Sequence, residues 1–165
     1  RPRRDRPDRA PAPPGAGAFA RPAPPLLDEL GLGPALEGYL HGVAARSGLE
    51  VQVRIEANLA ALALERQIAL FRIVQEAVTN ALRHAQARRL EVALLPQGDA
   101  VSVCVRDDGA GFDVERQSRE GSPGLGLFGM RERVHDLGGR WSVASVPGGG
   151  TCVTATVPIT HPAEQ

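Results

Sequence analysis

Val101, Val103 and Val105 alternate with other residues and run directly into the acidic, glycine-bearing string DDGAGF at 107–112. This junction limits the fold more than any other stretch of the chain. Apolar alternation with a period of two is the pattern of a half-buried strand. It also fixes the direction of whatever follows on the same face: Asp107 continues the valine face, while Asp108 points away or enters the turn. Where helices cover only one side of a sheet, the apolar face is the covered one. Asp107 is therefore aimed into the space between sheet and helices. A carboxylate there is costly unless partnered, and a ligand amine would serve as the partner. Gly109 and Gly111 let the backbone turn sharply and approach a ligand closely. Taken alone, the string is also that of an ordinary Asp-Gly turn.

The same reasoning places the other elements. Pro34 to Arg46 reads as a helix, with Gly48 just past its end. Residues 49–56 read as a strand on the alternation of Val51, Val53 and Ile55. Glu65 to Gln86 reads as a long helix with Ile68, Phe71, Val74, Val78, Leu82 and Ala85 on one stripe. Leu90, Val92 and Leu94 mark a second strand, and the valines above a third. Residues 107–123 are expected to form a polar loop. Leu125 to Leu137 reads as a helix, followed by strands at Trp141 to Val146 and Thr151 to Val157 around the turn PGGG. The order α-β-α-β-β-α-β-β implies an α+β fold: a two-layer α/β sandwich with a mixed sheet and its helices on one face. Residues 1–25, rich in Pro, Ala and Arg, have no apolar period and are expected to be a disordered linker. The folded domain is expected over 26–160, with 161–165 as a tail.

Composition then removes whole classes of function. Nineteen basic residues balance nineteen acidic ones, so nothing argues for nucleic acid. All nineteen cations are Arg and Lys is absent. A Walker A loop and a Ser/Thr-type protein kinase each need a Lys on the phosphates, so neither fits. Cys104 and Cys152 lie in strand-like runs and read as buried thiols, and with four scattered His they give no zinc spacing. No apolar run reaches the roughly 18 residues of a membrane span, and no signal peptide is visible. A cytoplasmic location is expected, with any membrane connection made through a sensor region outside this chain.

Two further motifs carry chemistry. In FRIVQEAVTNALRHAQA, 71–87, Glu76, Asn80 and His84 are spaced i, i+4, i+8, and Arg83 is i+3 from Asn80. The bland reading is a solvated polar face. The sharper one is a carboxylate, an amide oxygen and cations projecting into one cleft. An amide oxygen suits Mg²⁺, which takes few protein ligands alongside phosphate and water, and the cations would neutralise phosphate. In GLGLFGMRERV, 124–134, Gly124, Gly126 and Gly129 match G-x-G-x-x-G. A dinucleotide fold requires a strand immediately before that motif, and ERQSREGSP is a polar loop. What survives is glycine-rich backbone entering a helix N-terminus, a general anion-binding device.

In combination, QEAVTNALRHA, DDGAGF and GLGLFGMRER resemble the N, G1 and G2 boxes of the ATP-binding catalytic domain of sensor histidine kinases, in the GHKL ATPase superfamily. The GMRER ending and the upstream RPAPPLLDELGL resemble the subgroup of the nitrate sensors and membrane-fluidity thermosensors. The resemblance covers roughly Leu26 to Pro158. It implies a Bergerat fold with ATP between sheet and helices. By position, Asn80 would ligate Mg²⁺, and Glu76 would polarise the accepting imidazole or a water. Arg83 and His84 would flank the phosphates. Asp107 would accept from the adenine amino group, and Gly109 and Gly111 would pass near the base. Gly124 and Gly126 would close the lid segment, 113–123, and Thr151 would support the adenine end. The partners implied are a His-containing dimerisation domain and a response regulator, in a homodimeric full-length protein.

One feature departs from the pattern. The family's phosphoacceptor His lies on a helix before this domain, and residues 1–25 contain no His. His135-Asp136 has the right letters but follows the G2 box, and reads as a surface coincidence. The chain is thus expected to bind ATP without phosphorylating itself on a family-type site. Two alternatives stand beside the kinase reading. One is an anti-sigma-like ATP-binding regulator or Ser kinase of the same fold. The other is a nicotinamide-binding oxidoreductase resting only on the glycine pattern.

Overall fold

The computed structural model describes residues 25–119 and 126–160. Residues 1–24 of the expected linker and the expected tail, 161–165, lie outside them, as do Gly124 and residues 120–123 of the expected lid segment, whereas Pro25, expected in the linker, is helical. Along the chain run α1 (Pro25–Leu30), α2 (Leu32–Ser47), β1 (Glu50–Ile55) and α3 (Leu64–Asn80). A π-helical turn at Ala81–Ala85 is followed by β2 (Arg89–Gln97), β3 (Ala100–Asp107), α4 (Val114–Arg119), α5 (Leu127–Asp136), β4 (Arg140–Ser145) and β5 (Thr151–Pro158).

The five strands form one mixed sheet in the order β1-β2-β3-β5-β4. β1 runs parallel to β2 and every other pairing is antiparallel. A parallel pair cannot be joined by a tight turn, and here α3 makes the crossover. Alternation decides which face is covered. Leu90, Val92 and Leu94 on β2, Val101, Val103 and Val105 on β3, and Val153, Ala155 and Val157 on β5 are all buried under the helices. Intervening residues such as Ala93, Cys104 and Thr154 are only half-buried on the other face. The result is the expected α+β sandwich.

α3 is the central helix. Leu70, Phe71, Ile73, Val74, Ala77 and Val78 are all buried, a band wider than one stripe, because α2 packs on one side and the sheet on the other. Tyr39 of α2 meets Phe71 with ring centroids 5.6 Å apart. Arg66 is also buried, and its Nη1 donates to the Leu137 carbonyl at 3.0 Å. That bond ties the C-terminal end of α5, where a cation is favoured, to the start of α3.

Three elements differ from expectation. The long helix does not stay α-helical: after Asn80 it widens into the π turn and stops at Gln86, whose φ is 50°. The extra residue in the turn breaks the 3.6 period, so Leu82 is exposed rather than on the apolar stripe. Residues 114–119, expected as loop, form a helix with no buried residue. PLLDEL at 25–30 forms α1, which seals the core through Leu27.

Candidate nucleotide site

The third strand ends at the site. Asp107 continues the face of Val105 and is 8% exposed, whereas Asp108 is exposed. Their surroundings push them in opposite directions. Burial raises the Asp107 carboxyl above the usual range, against backbone N–H groups of Gly109 and Thr151 that favour its charge. The Gly109 N–H donates to Asp107 Oδ1 at 2.9 Å. Asp108 is held below the usual range by the backbone N–H groups of Arg89 and Arg88, which donate to its Oδ1 at 2.9 and 2.8 Å. Asp108 is thus more than a turn residue, since it clamps the chain leaving the π turn.

Asp107 opens into a cavity of about 160 Å³. Engineered cavities of about 150 Å³ hold a single aromatic ring. Its apolar wall comes from Ala77, Ala85, Val105, Phe112, Leu127 and Val153, with Asn80, His84, Asp107 and Thr151 as the polar members. Asp107 and Thr151 are directly opposite across the β3–β5 ladder. Gly111 completes the lining. Apolar walls with a few convergent polar groups are the usual form of a small-molecule site.

The two glycines of the loop do different things. A Cβ on Gly109 would collide with the Cβ and carbonyl oxygen of Ala85, and the Ala110 N–H donates to that same oxygen at 2.7 Å. Gly109 therefore lets the loop lie against the π turn, and it is not among the lining residues. Gly111 has a φ of 60°, and a Cβ there would collide with the Val146 carbonyl. Across this approach, the Gly148 N–H donates to the Ala110 carbonyl at 2.6 Å. The Ser145 hydroxyl accepts from the Phe112 N–H at 2.9 Å and donates to the Gly150 carbonyl at 2.8 Å.

The helix residues divide between the cavity and its rim. Asn80 and His84 line it, while Arg83 is exposed on the π turn and is not among the lining residues. Glu76, one turn before Asn80, packs against Gly126: a Cβ on that glycine would collide with the Glu76 carboxylate. Gly126 caps the N-terminus of α5 at a φ of 67°. The arrangement brings Asn80, His84, Asp107, Gly111 and Thr151 around one space and sets Glu76 and Gly126 together at its edge. His135 and Asp136 are exposed on α5. Phe112 and Leu127 were not singled out from the sequence; each directly follows a motif glycine or flanks one, which was the available signal.

The shift at Asp107 has a pH signature. A buried acid whose folded value is raised loses stability as pH rises through that value, because the folded form must then carry an unfavourable charge. A bound amine reverses this by favouring the carboxylate. The affinity of a ligand that binds Asp107 through an amine is therefore expected to fall as pH drops through the raised Asp107 range, and calorimetric titration across pH checks it. An affinity flat through acid pH would contradict the shift.

Residues 65–161 match the family model described as histidine kinase-, DNA gyrase B- and HSP90-like ATPase. The signal transduction histidine-protein kinase/phosphatase DegS of Bacillus subtilis is 36% identical over 139 residues, 82% of this chain and 36% of DegS. The oxygen sensor histidine kinase NreB of Staphylococcus carnosus is 36% identical over 137 residues, 83% of this chain and 39% of NreB. The chain thus spans little more than a third of the length of these relatives. Among solved structures, the blue-light-activated histidine kinase EL346 of Erythrobacter litoralis superposes with a TM-score of 0.65 at 24% identity, over 78% of this chain and 42% of that one. That likeness bears on the fold. With the family model matching more than half of its length, the chain belongs to the histidine kinase-, gyrase B- and HSP90-like ATPases.

Proposed function

We propose that this chain is the ATP-binding catalytic domain of a sensor histidine kinase. In this reading it delivers the γ-phosphoryl group of ATP to a histidine on a dimerisation domain outside the chain, for relay to a response regulator. The full-length protein would be a homodimer through that domain. The observation that carries the reading is the buried Asp107 at the end of an apolar, ring-sized cavity. A carboxylate so placed is stabilised by a ligand N–H donor, and the exocyclic amine of adenine supplies one. Thr151 supports the same end, Gly111 passes the base and Gly109 holds the loop for it. The sensor histidine kinases among the relatives favour this reading over the anti-sigma-like alternative.

Phosphoryl transfer depends mainly on positioning and charge neutralisation, and the roles divide accordingly. His84 lines the cavity on the Asn80 side, and Arg83 precedes it on the same turn, so both would flank phosphate. Gly124 and Gly126 would pass the phosphates at the start of α5. Glu76, beside Gly126, would polarise the accepting imidazole. Among the described residues no group of three or more His, Cys, Asp or Glu is arranged to hold a metal ion. The Asn80 amide lining the cavity is a donor that fits Mg²⁺ arriving with the nucleotide, which needs few protein ligands. Asn80 would hold it through its amide oxygen alongside phosphate oxygens, and the ion would supply neutralisation of phosphate charge.

The test is calorimetry with ATP and ADP, with and without Mg²⁺, followed by transfer of labelled γ-phosphate to a supplied acceptor domain. ATP and ADP are expected to bind, and NAD is not. NAD binding without ATP binding would overturn the proposal, and ATP binding without transfer to any histidine acceptor would move it to the regulator reading. Asn80→Asp is expected to cost about tenfold, or ~1.4 kcal/mol, in the Mg²⁺-dependent part of ATP binding. Unchanged binding and unchanged transfer would remove Asn80 from the metal site.

A further inference from the structure

The face of the sheet opposite the cavity carries both cysteines of the chain. They are far apart in sequence, and the strand register joins them. Cys104 of β3 lies opposite Thr154 of β5, and Cys152 lies opposite Arg106, so the two cysteines are diagonal neighbours. Their sulfurs are 3.1 Å apart. Neither is fully buried, contrary to the reading of the sequence as two separate buried thiols. Among the described residues the apolar helix-covered face is the opposite one, and the next strand presents the small, exposed Ala144 directly beside Cys152, with Ser142 beside Thr154. A small solute therefore reaches the pair from solvent.

We propose that Cys104 and Cys152 are a reversible dithiol–disulfide site closed by hydroperoxides, with Cys152 as the attacking sulfur and Cys104 as the resolving one. The geometry requires little movement: a disulfide is roughly 2.05 Å long, so the sulfurs approach by about 1 Å. The strand register assigns the two roles: Arg106 lies directly opposite Cys152, whereas Cys104 lies opposite Thr154. Cys152 is held below the usual thiol range by the hydrogen bond it shares with Cys104, and Thr154 and the Arg106 cation favour the thiolate of either sulfur. Cys104 is pushed upward, first by that shared hydrogen bond and then by burial. A thiolate is the nucleophile in such chemistry, and a nearby cation favours it.

The chemistry balances in two steps. The Cys152 thiolate attacks the terminal oxygen of a hydroperoxide; an S–O bond forms, the O–O bond breaks and the alcohol, or water from hydrogen peroxide, leaves with a proton. The product is a sulfenic acid on Cys152. Cys104 sulfur then attacks Cys152 sulfur, forming S–S and breaking S–O, and the departing hydroxide takes the Cys104 proton as water. Two thiols lose two electrons and two protons, and the peroxide bond accepts the electrons. A dithiol reductant reverses the change by exchange. This site shares no residue with the nucleotide cavity, so it stands whether or not that reading does.

The test treats the protein with hydrogen peroxide and follows intact mass and free thiols. The wild type is expected to lose both thiols together, to become lighter by two hydrogen atoms without gaining oxygen, and to recover both on reduction. Cys104→Ser is expected to stop at a sulfenic acid on Cys152 that dimedone captures. Cys152→Ser is expected to label about tenfold more slowly, as its remaining thiol is not the one directly opposite the Arg106 cation. A disulfide between two copies, independent oxidation of the two thiols, or no oxidation in the wild type would overturn the pairing. Equal labelling of the two variants would overturn the assigned roles.

Discussion

Asp107→Asn is expected to weaken ATP and ADP binding about 100-fold, while Asp108→Asn changes it by about twofold or less. A hydrogen bond to a buried charged group contributes about 1.5–3 kcal/mol, and each ~1.4 kcal/mol is tenfold in affinity. Asn at 107 still offers an oxygen to the Gly109 N–H, so the turn survives. It removes the charge, and in the proposed site the adenine amine would meet either a weaker acceptor or another N–H. Asn at 108 keeps an oxygen for the Arg88 and Arg89 N–H groups, and exposed substitutions of this kind stay within about 0.5 kcal/mol. Calorimetry on the two variants checks the contrast. Equal losses would mean that the face of the strand does not decide which carboxylate reads the ligand.

Gly111→Ala is expected to destabilise the fold by about 3 kcal/mol or more and to lower Tm by about 10 °C. Two effects combine. The φ of 60° is unfavourable for any side chain, and the added methyl collides with the Val146 carbonyl and lies 2.8 Å from the Gly150 carbonyl. Both obstacles are backbone, so neither rotates away. Gly48→Ala separates the effects, because Gly48 has a φ of 71° with nothing within 4 Å. It should cost only the conformational part, about 1–2 kcal/mol. Thermal unfolding of both variants decides the matter, and equal shifts would mean that the 108–112 and 146–150 loops yield to the methyl.

What was legible in the sequence was what alternation and helical period encode. The valines at 101, 103 and 105 located the covered face and placed Asp107 on it, as the structure has it. Glu76 and Asn80 were readable because they sit on regular α-helix. The π turn was not, because no residue in ALRHA marks a switch to i→i+5 bonding; the contact made there, Gly109 seated closely on Ala85, is tertiary. α4 was missed because VERQSR buries nothing and so has no apolar period. Arg66 was passed over because a buried cation inside an apolar helix announces itself only through its partner, the distant Leu137 carbonyl. The cysteine contact required strand register between β3 and β5, which is nonlocal by nature.

That β3–β5 register also governs how the molecule must assemble. Asp107 and Thr151 face one another only when the last strand inserts between β3 and β4. β4 and β5 can close as a local hairpin, and so can β2 and β3, whereas the seam joining the two hairpins spans the 113–123 segment and α5. Loop-closure entropy must be overcome before such distant pairing is rewarded, which makes it slow. The seam is therefore expected in the late stage of folding, with the nucleotide cavity appearing only once it has zipped. An intermediate with both hairpins formed would already have much of its secondary structure and no capacity to hold a ligand.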